Sequence, residues 1–541
     1  MKLLTKILYE TLNDLNYPHT EIIIEIPKNN KFGDYSTNLA LILSKKIKKN
    51  PINIAEDIAN RIESLSKNEL KKISIAGPGF INFTLSNNFY YKNLLNVIEN
   101  PNYGKIQQKK SKTALVEFVS ANPTGPLTVG HGRGAVLGDT ISNILEWNGY
   151  KVVREYYFNN AGKQMRVLGE SVASRYKQIY NKESKFPDYG YQGEYIKDIA
   201  KLISTKFNDN FLNDDQNKIF KESAENFVFE DIKKTLKKIK INFGSFFNED
   251  DLYSSGAIKK TLSKLKRKNI IYEKDGATWF NAKSINREQD KVLVKSSGEP
   301  TYRLPDVAYH KDKFNRKFDL IVDIFGADHS DTYPDVMALI KSLDCDINKM
   351  KVIIHQFVTI LENGEKVKMS TRKANFITLE ELCDEVGEDV LRYFFIMRGA
   401  NTHLNFDIGL AKNESDENPV FYLQYAYARI CNILKKSNEF EYSSNEFEDL
   451  KLLSSNVEKD ILRKIQQFPD LITQIGKVLE PQTLANYLQS LASLFHKFYS
   501  NNKVISDDEK LSFARLKLIC GIKHVLKNGL DILGINAPEK M

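Results

Sequence analysis

The spacing of apolar residues changes character along the chain, and each change marks a boundary. The first hundred residues mix periods: a helix over 3–15, a strand over 22–26, a second helix over 38–46 and a strand over 81–85. The polar, basic run Lys105-Ile-Gln-Gln-Lys-Lys-Ser-Lys-Thr113 then reads as the linker closing an α+β N-terminal domain, residues 1–108. From there to residue 363, short apolar strands at 114–119, 152–158 and 320–325 alternate with helical stretches. That pattern predicts a Rossmann-like parallel sheet covered on both faces over 109–363. The interval 163–290 exceeds any crossover and reads as a mostly helical insertion, and 364–412 connects onward. Beyond residue 413 the spacing is purely helical: Leu423, Tyr427, Ile430 and Leu434, then Leu462 to Leu479, Leu484 to Phe495 and Leu518 to Ile532. The expected fold class is therefore multidomain α/β with an all-α C-terminal bundle over 413–541.

Between Ala114 and Asp139 the pattern also carries chemistry. The run Ala114-Leu-Val-Glu-Phe-Val119 reads as a buried strand, and Pro123 and Pro126 forbid a helix or central strand directly after it. A tight extended turn is expected over 120–126. Gly130, Gly132 and Gly134 then open a helix whose apolar stripe is Leu137, Ile141, Ile144 and Leu145. Backbone N–H groups at that start point into space that side chains do not fill, which is an anion-binding arrangement, and His131 within it suits nucleotide phosphates. Downstream, Lys366, Lys368, Arg372 and Lys373 crowd together beside Gly364, as a mobile cationic loop would that closes over a leaving group.

Thr128-Val-Gly-His131 stands where class I aminoacyl-tRNA synthetases carry their HIGH signature, and Lys368-Met-Ser-Thr-Arg372 where they carry KMSKS. With Glu117-Phe-Val-Ser-Ala-Asn-Pro-Thr-Gly-Pro126 and Asn159-Asn-Ala-Gly162, these segments make the chain resemble the arginyl-tRNA synthetases over nearly its whole length. Two positions depart from the pattern. Thr128 replaces the first histidine, and Thr371 replaces the second lysine. A hydroxyl can hydrogen-bond a phosphate oxygen but carries no charge, so stabilisation of the leaving group falls to Lys368, helped by Arg372 or Lys373.

The resemblance implies a reaction: arginine is activated with ATP and Mg2+ to arginyl-adenylate, then esterified to the terminal adenosine of tRNA(Arg), with activation itself needing tRNA. It also implies the site. His131, Lys368 and Arg372 would be catalytic, and ATP would touch Thr128, Gly130, His131, Gly132, Gly326, His329, Lys368, Met369 and Ser370. The guanidinium of arginine calls for a carboxylate with an aromatic ring over its face. Tyr302 and Asp306 align with the pair the family uses, Glu117 and Asp328 are further acids, and Asn122 resembles the residue that holds the amino acid end. Phe32, Tyr35 and Asn38 would meet the outer corner of the tRNA. Tyr422 and Tyr425 would meet the anticodon, although tyrosines at helical spacing, Tyr427 among them, are equally core residues.

Size and charge add little beyond consistency. At 541 residues, 42% of them hydrophobic and 27% charged, the chain is an ordinary globular protein with room for several domains. A net charge of +9 permits a polyanionic partner. Cys345, Cys383, Cys431 and Cys520 form no metal-ligand spacing, so no protein-bound metal is expected. The amino end is amphipathic with an early acid, and no stretch approaches a membrane span. A cytoplasmic protein, a monomer as the family usually is, with no membrane partner, is the expectation. Competing readings stay open: the same fold acting on another amino acid, such as glutamate or glutamine, against which Tyr302 with Asp306 stands; a nucleotidylyltransferase without tRNA, which the helical bundle disfavours; and an inactive tRNA-binding derivative, against which His131, Lys368, Asn122 and Asp306 stand. Replacing Lys368 with Ala is expected to lower the turnover of adenylate formation far more than it weakens ATP binding. Unchanged turnover with a raised KM for ATP would remove that role.

Overall fold

The structure, a computed structural model, describes the chain apart from residues 28, 67, 108–109, 161, 214–217, 363, 368–376 and 438–445. At its centre lie parallel strands β1 (Lys112–Glu117), β2 (Tyr150–Phe158), β3 (Ser245–Asn248), β4 (Leu320–Gly326) and β5 (Met350–His355), in the order β5-β4-β1-β2-β3. The order reverses between β1 and β4, and in such sheets the crevice at the carboxyl ends beside the reversal is where ligands bind. Alternation along the strands sends side chains to opposite faces. Ala114, Val116, Val322 and Ile324 join the main core with Leu137, Ile141, Ile144 and Leu145 of helix α1 (Val129–Trp147). Leu115 and Ile321 turn the other way, toward Met350 and Phe314 of helix α2 (Arg303–Asn315).

The expected Rossmann-like sheet is present, with two corrections. The interval 163–290 carries the expected helices, but it is not an insertion of helices alone. After helices Gly162–Ile179, Glu194–Phe207 and Lys218–Lys238 it contains β3 itself, then helices Asp250–Ser254 and Ala257–Arg267, and it runs into an antiparallel sheet of Ile271–Lys274, Ala277–Phe280 and Lys291–Val294. Strands of four residues hold too few alternations to reveal a period, which is why the spacing missed them. The turn after β1 is not simply extended either. Val119 and Ser120 take left-handed backbone conformations, φ 68° and 43°, a strained choice for a β-branched residue and one found at functional sites. Ser120 Oγ donates to Glu117 Oε1 at 2.8 Å and accepts from Tyr157 N at 3.1 Å, so the kink is stitched to β1 and β2.

In the N-terminal region a sheet ordered Ile24–Glu25, Tyr35–Thr37, Phe80–Leu85, Leu70–Ala76 packs with helices Leu39–Ile47 and Pro51–Leu65. Gly33 has φ +84°, and a Cβ there would lie 2.5 Å from Phe83 O, so the turn demands glycine. The C-terminal bundle comprises Pro419–Ser437, Asn456–Val478, Pro481–Asn501 and Glu509–Leu533. Asn418 caps the first of these, its Oδ1 accepting from Val420 N at 3.0 Å ahead of Pro419. One fully buried cation joins the parts: Arg392 donates to Asp139 of α1 (2.7 Å), to Ile239 O (2.9 Å) and to Leu533 O in the last helix of the bundle (3.0 Å).

Candidate active site

A cavity of about 1110 Å³ opens at the carboxyl ends of β1 and β4. Its walls are the turn after β1, the first residues of α1 and α2, residues 324–329 and the segment 355–358. The start of α1 is closed by a reciprocal cap. Thr128 Oγ1 accepts from His131 N at 3.4 Å, and Thr128 N donates to His131 Nδ1 at 3.2 Å. With Nδ1 accepting, the neutral ring carries its proton on Nε2. Burial holds His131 below the ordinary histidine range, against the opposing pull of Asp328, so the ring is a neutral donor at a helix N-terminus. A Cβ on Gly130 would meet nothing nearer than Thr128 Oγ1 at 3.7 Å, leaving that backbone open to the cavity.

The opposite wall is acidic. Tyr302, 76% exposed, stands at the mouth just ahead of α2, and Asp306 lies one turn further in. Burial pushes Asp306 up to about 7; His310 opposes this, while Glu117 and Glu249 add to it. Burial likewise raises Glu249, the residue that follows β3. Asn122 donates to Gln164 Oε1 at 2.6 Å, Asp328 is largely exposed, and the ring of His329 stacks on Phe325 with centroids 5.0 Å apart.

Beneath this wall runs a ladder of charge. Register pairs Asp323 of β4 with Glu117 of β1, and Glu117 with Glu155 of β2, so these carboxylates stand in line on the α2 face of the sheet. Lys313 of α2, fully buried, donates to Glu117 Oε2 and to Asp323 Oδ1, the latter at 2.7 Å. Arg316 grips Glu155 with both Nη atoms at 2.6 and 2.7 Å, and Tyr309 adds its hydroxyl at 2.7 Å. His310 bridges Asp323 Oδ2 (2.9 Å) and Asp306 O (2.7 Å) through its two ring nitrogens. Against the cost of burial, Lys313 and His310 hold Asp323 below the carboxylate range, and Arg316 does the same for Glu155.

Residues 2–85 match the arginyl tRNA synthetase N terminal domain family, residues 93–394 the catalytic domain of class I (R) tRNA synthetases, and residues 423–541 the DALR anticodon binding domain. The arginine-tRNA ligase of Chlorobaculum tepidum is 47% identical over 530 residues, 96% of each chain, and that of Chlorobium limicola 48% over 527 residues, again 96% of each. The chain belongs to the arginyl-tRNA synthetase family. The solved arginyl-tRNA synthetase of Thermus thermophilus shares the fold over 100% of both chains, at TM-score 0.78 and 20% identity.

Among the synthetase residues anticipated from sequence, Glu117, Asn122, Thr128, Gly130, His131, Tyr302, Asp306, Gly326, Asp328 and His329 line the one cavity. Others do not. Gly132 is a packing residue: its N–H is spent on Thr128 O at 3.1 Å, and a Cβ would lie 2.3 Å from Leu379 Cδ1. The hydroxyl of Thr128 serves the helix cap, and Glu117 is committed to Lys313 and Ser120. Tyr35, expected on the tRNA surface, is 1% exposed and donates to Asp470 Oδ2 at 2.6 Å, so it is a core residue joining the N-terminal region to the bundle. Phe32 is exposed and Asn38 half-buried. Tyr422 and Tyr425 are half-buried around His496, with centroids at 4.4 and 6.1 Å, and the Arg429 guanidinium lies 4.5 Å from the Tyr425 ring. Lys368, Met369, Ser370 and Arg372 lie outside the described residues.

Sequence reasoning missed Glu249, His310, Lys313, Asp323 and Glu155. The signal existed: Asp306, His310 and Lys313 recur at helical spacing, and Glu155 and Asp323 interrupt apolar strands. Among the described residues no group of His, Cys, Asp or Glu could hold a metal ion, and no helix is long and apolar enough to cross a membrane. Lys313→Met strands Glu117 and Asp323 without their cation and is expected to cost about 3–5 kcal/mol at pH 8. In the wild type, Asp323 is depressed and contributes stability that is lost as pH falls through its folded pKa. In the variant Glu117 keeps Ser120 and Asp323 keeps His310, but loss of the shared ammonium shifts both carboxylates upward, so the gap in thermal midpoint should narrow from pH 8 to 5. A gap that ignores pH would refute this account of the ladder.

Proposed function

We propose that the cavity activates L-arginine with ATP accompanied by Mg2+, and passes the arginyl group to the 3'-terminal adenosine of tRNA(Arg). The observation that carries this reading is the pairing, across one cleft, of a helix start bearing a neutral imidazole donor with a half-buried carboxylate whose pKa is pushed up to about 7. A triphosphate suits the first and a guanidinium the second. In the first step a carboxylate oxygen of arginine attacks the α-phosphorus, and pyrophosphate leaves with its magnesium. In the second the 2'-hydroxyl of the terminal adenosine attacks the acyl carbon and AMP leaves.

In this assignment His131 Nε2–H and the open amide of Gly130 donate to phosphate oxygens, which spread charge in the transition state. His329, beside Gly326, supports the nucleotide. Asp306 accepts the guanidinium, Tyr302 covers its face, Asp328 lies further out, and Asn122 holds the amino acid end. Glu117, neutralised by Lys313, sets the field beneath. Lys368 and Arg372 follow the leaving pyrophosphate, with Met369 and Ser370 at the nucleotide. Residues 1–108 and 413–541 hold the tRNA, with Phe32 and Asn38 on one side and Tyr422 and Tyr425 on the other; 109–363 does the chemistry and 364–412 carries the loop. The enzyme acts as a cytoplasmic monomer and activates arginine only when tRNA is bound.

Pyrophosphate exchange run with each amino acid, with and without tRNA, tests the assignment. Exchange specific to arginine and dependent on tRNA is expected; exchange with a different amino acid overturns it. Because Asp306 is half-protonated near pH 7 in the empty site, cation binding must displace its proton below that pH. The apparent Kd for arginine should therefore rise about tenfold per unit of pH below 7 and level off above it. In Asp306→Asn the affinity should drop and this slope disappear, while ATP binding stays near wild type. A wild-type Kd that is flat from pH 5.5 to 8 would take Asp306 out of the arginine site.

A further inference from the structure

The cavity is short of positive charge where a triphosphate would sit. Among the described lining residues Glu117, Glu249, Asp306 and Asp328 are acids, and Arg303 is paired to Asp335 at 3.1 Å. Thr128 carries no charge, and burial keeps His131 and His355 neutral, the latter down to about 4. Helix N–H groups supply only partial charges.

Behind this wall lies Arg133, 0% exposed. Its Nη1 donates to Gln356 O at 2.8 Å and its Nη2 to Gly399 O at 2.9 Å, while Nε finds no partner among the described residues. Both acceptors are neutral carbonyls. Burial lowers its pKa only to about 10, so the guanidinium stays charged at neutral pH. A buried charge without a counter-ion is costly unless an anion answers it. Its neighbours show which anion is within reach. The adjoining Gly134 lines the cavity, as do His355 and Phe357 on either side of Gln356. A Cβ on Gly134 would lie 2.9 Å from His355 Nε2, and His355 Nδ1 reaches the same Gln356 carbonyl at 3.4 Å. One layer of wall therefore separates the guanidinium from the cavity.

We propose that Arg133 is a positioning residue whose unpaired charge, set behind Gly134 and His355, provides the fixed positive potential that holds the nucleotide phosphates at the start of α1. This rests on the nucleotide reading of the cavity. It supplies from within the protein a charge that Thr128, in the place of a histidine, does not carry. In a medium that water does not reach, such a field needs no reorganisation when pyrophosphate begins to leave.

The test uses the full chain with adenosine, AMP and Mg-ATP as ligands, in the wild type and in R133Q, R133M and R133K. R133M and R133Q are both neutral; R133M fills the slot without polar atoms, so at least one neutral variant should fold. Expected is a loss that grows with phosphate charge: adenosine within about twofold of wild type, ATP weakened about tenfold or more, and pyrophosphate exchange lowered at least as much. R133K, which keeps the charge, should restore most of the ATP affinity. Equal weakening of adenosine and ATP in the neutral variants would mean that Arg133 only braces the 356 and 399 segments, and unchanged binding of both would leave it no role; either result overturns the proposal. Failure of the wild type itself to bind ATP would instead sink the nucleotide reading.

Discussion

The structure rests on how a parallel sheet tolerates acids side by side. Asp323, Glu117 and Glu155 occupy matching positions on neighbouring strands about 5 Å apart, where each like-charged pair costs about 3 kcal/mol at an effective dielectric of 20. One helix answers all of them. Lys313 sits between the first two, Arg316 clasps the third, and His310 completes the set. The same helix begins with Tyr302 and Asp306. Its docking on the sheet therefore fixes the acidic wall of the cavity, and the position of Asp306 follows from ion pairs made two turns away.

The two walls then differ in electrical character. On the α2 side, carboxylates crowd together and Asp306 is pushed toward neutrality. On the α1 side, His131 is neutral, its tautomer fixed by the helix cap, and the capping hydroxyl is already engaged. The cleft therefore presents an acid-lined face opposite a face of neutral hydrogen-bond donors. The left-handed kink at Val119 and Ser120 is what brings these walls together, since it turns the chain sharply from β1 into the path toward α1.

Much of this was legible in the sequence where a period or a motif was long enough. The strand before Ser120, the glycine-rich helix start, the bundle helices and the grouping of His131, Tyr302 and Asp306 all followed from spacing and resemblance. Short elements were not legible: β3 has four residues, and its tail carries Glu249 to the site. Burial was not legible either. Tyr35 reads as a surface aromatic until the bundle is known to cover it, and Gly132 looks identical to Gly130 until Leu379 is seen against it. Nor does a one-dimensional pattern reveal which strands become neighbours, and without that the ladder of acids cannot be recognised.

Arg392 draws together the carboxylate of Asp139, a carbonyl just past the helix Lys218–Lys238 and a carbonyl at the end of the last helix. Fully enclosed, it relies on groups from widely separated parts of the chain for its solvation. Cutting away the bundle would take from it the Leu533 carbonyl and open its enclosure, leaving the ion pair with Asp139 and the Ile239 carbonyl to hold the charge. Through this one side chain the carboxyl-terminal helix and the helix that begins at Val129 hold a common partner, so a displacement of either bears on the other.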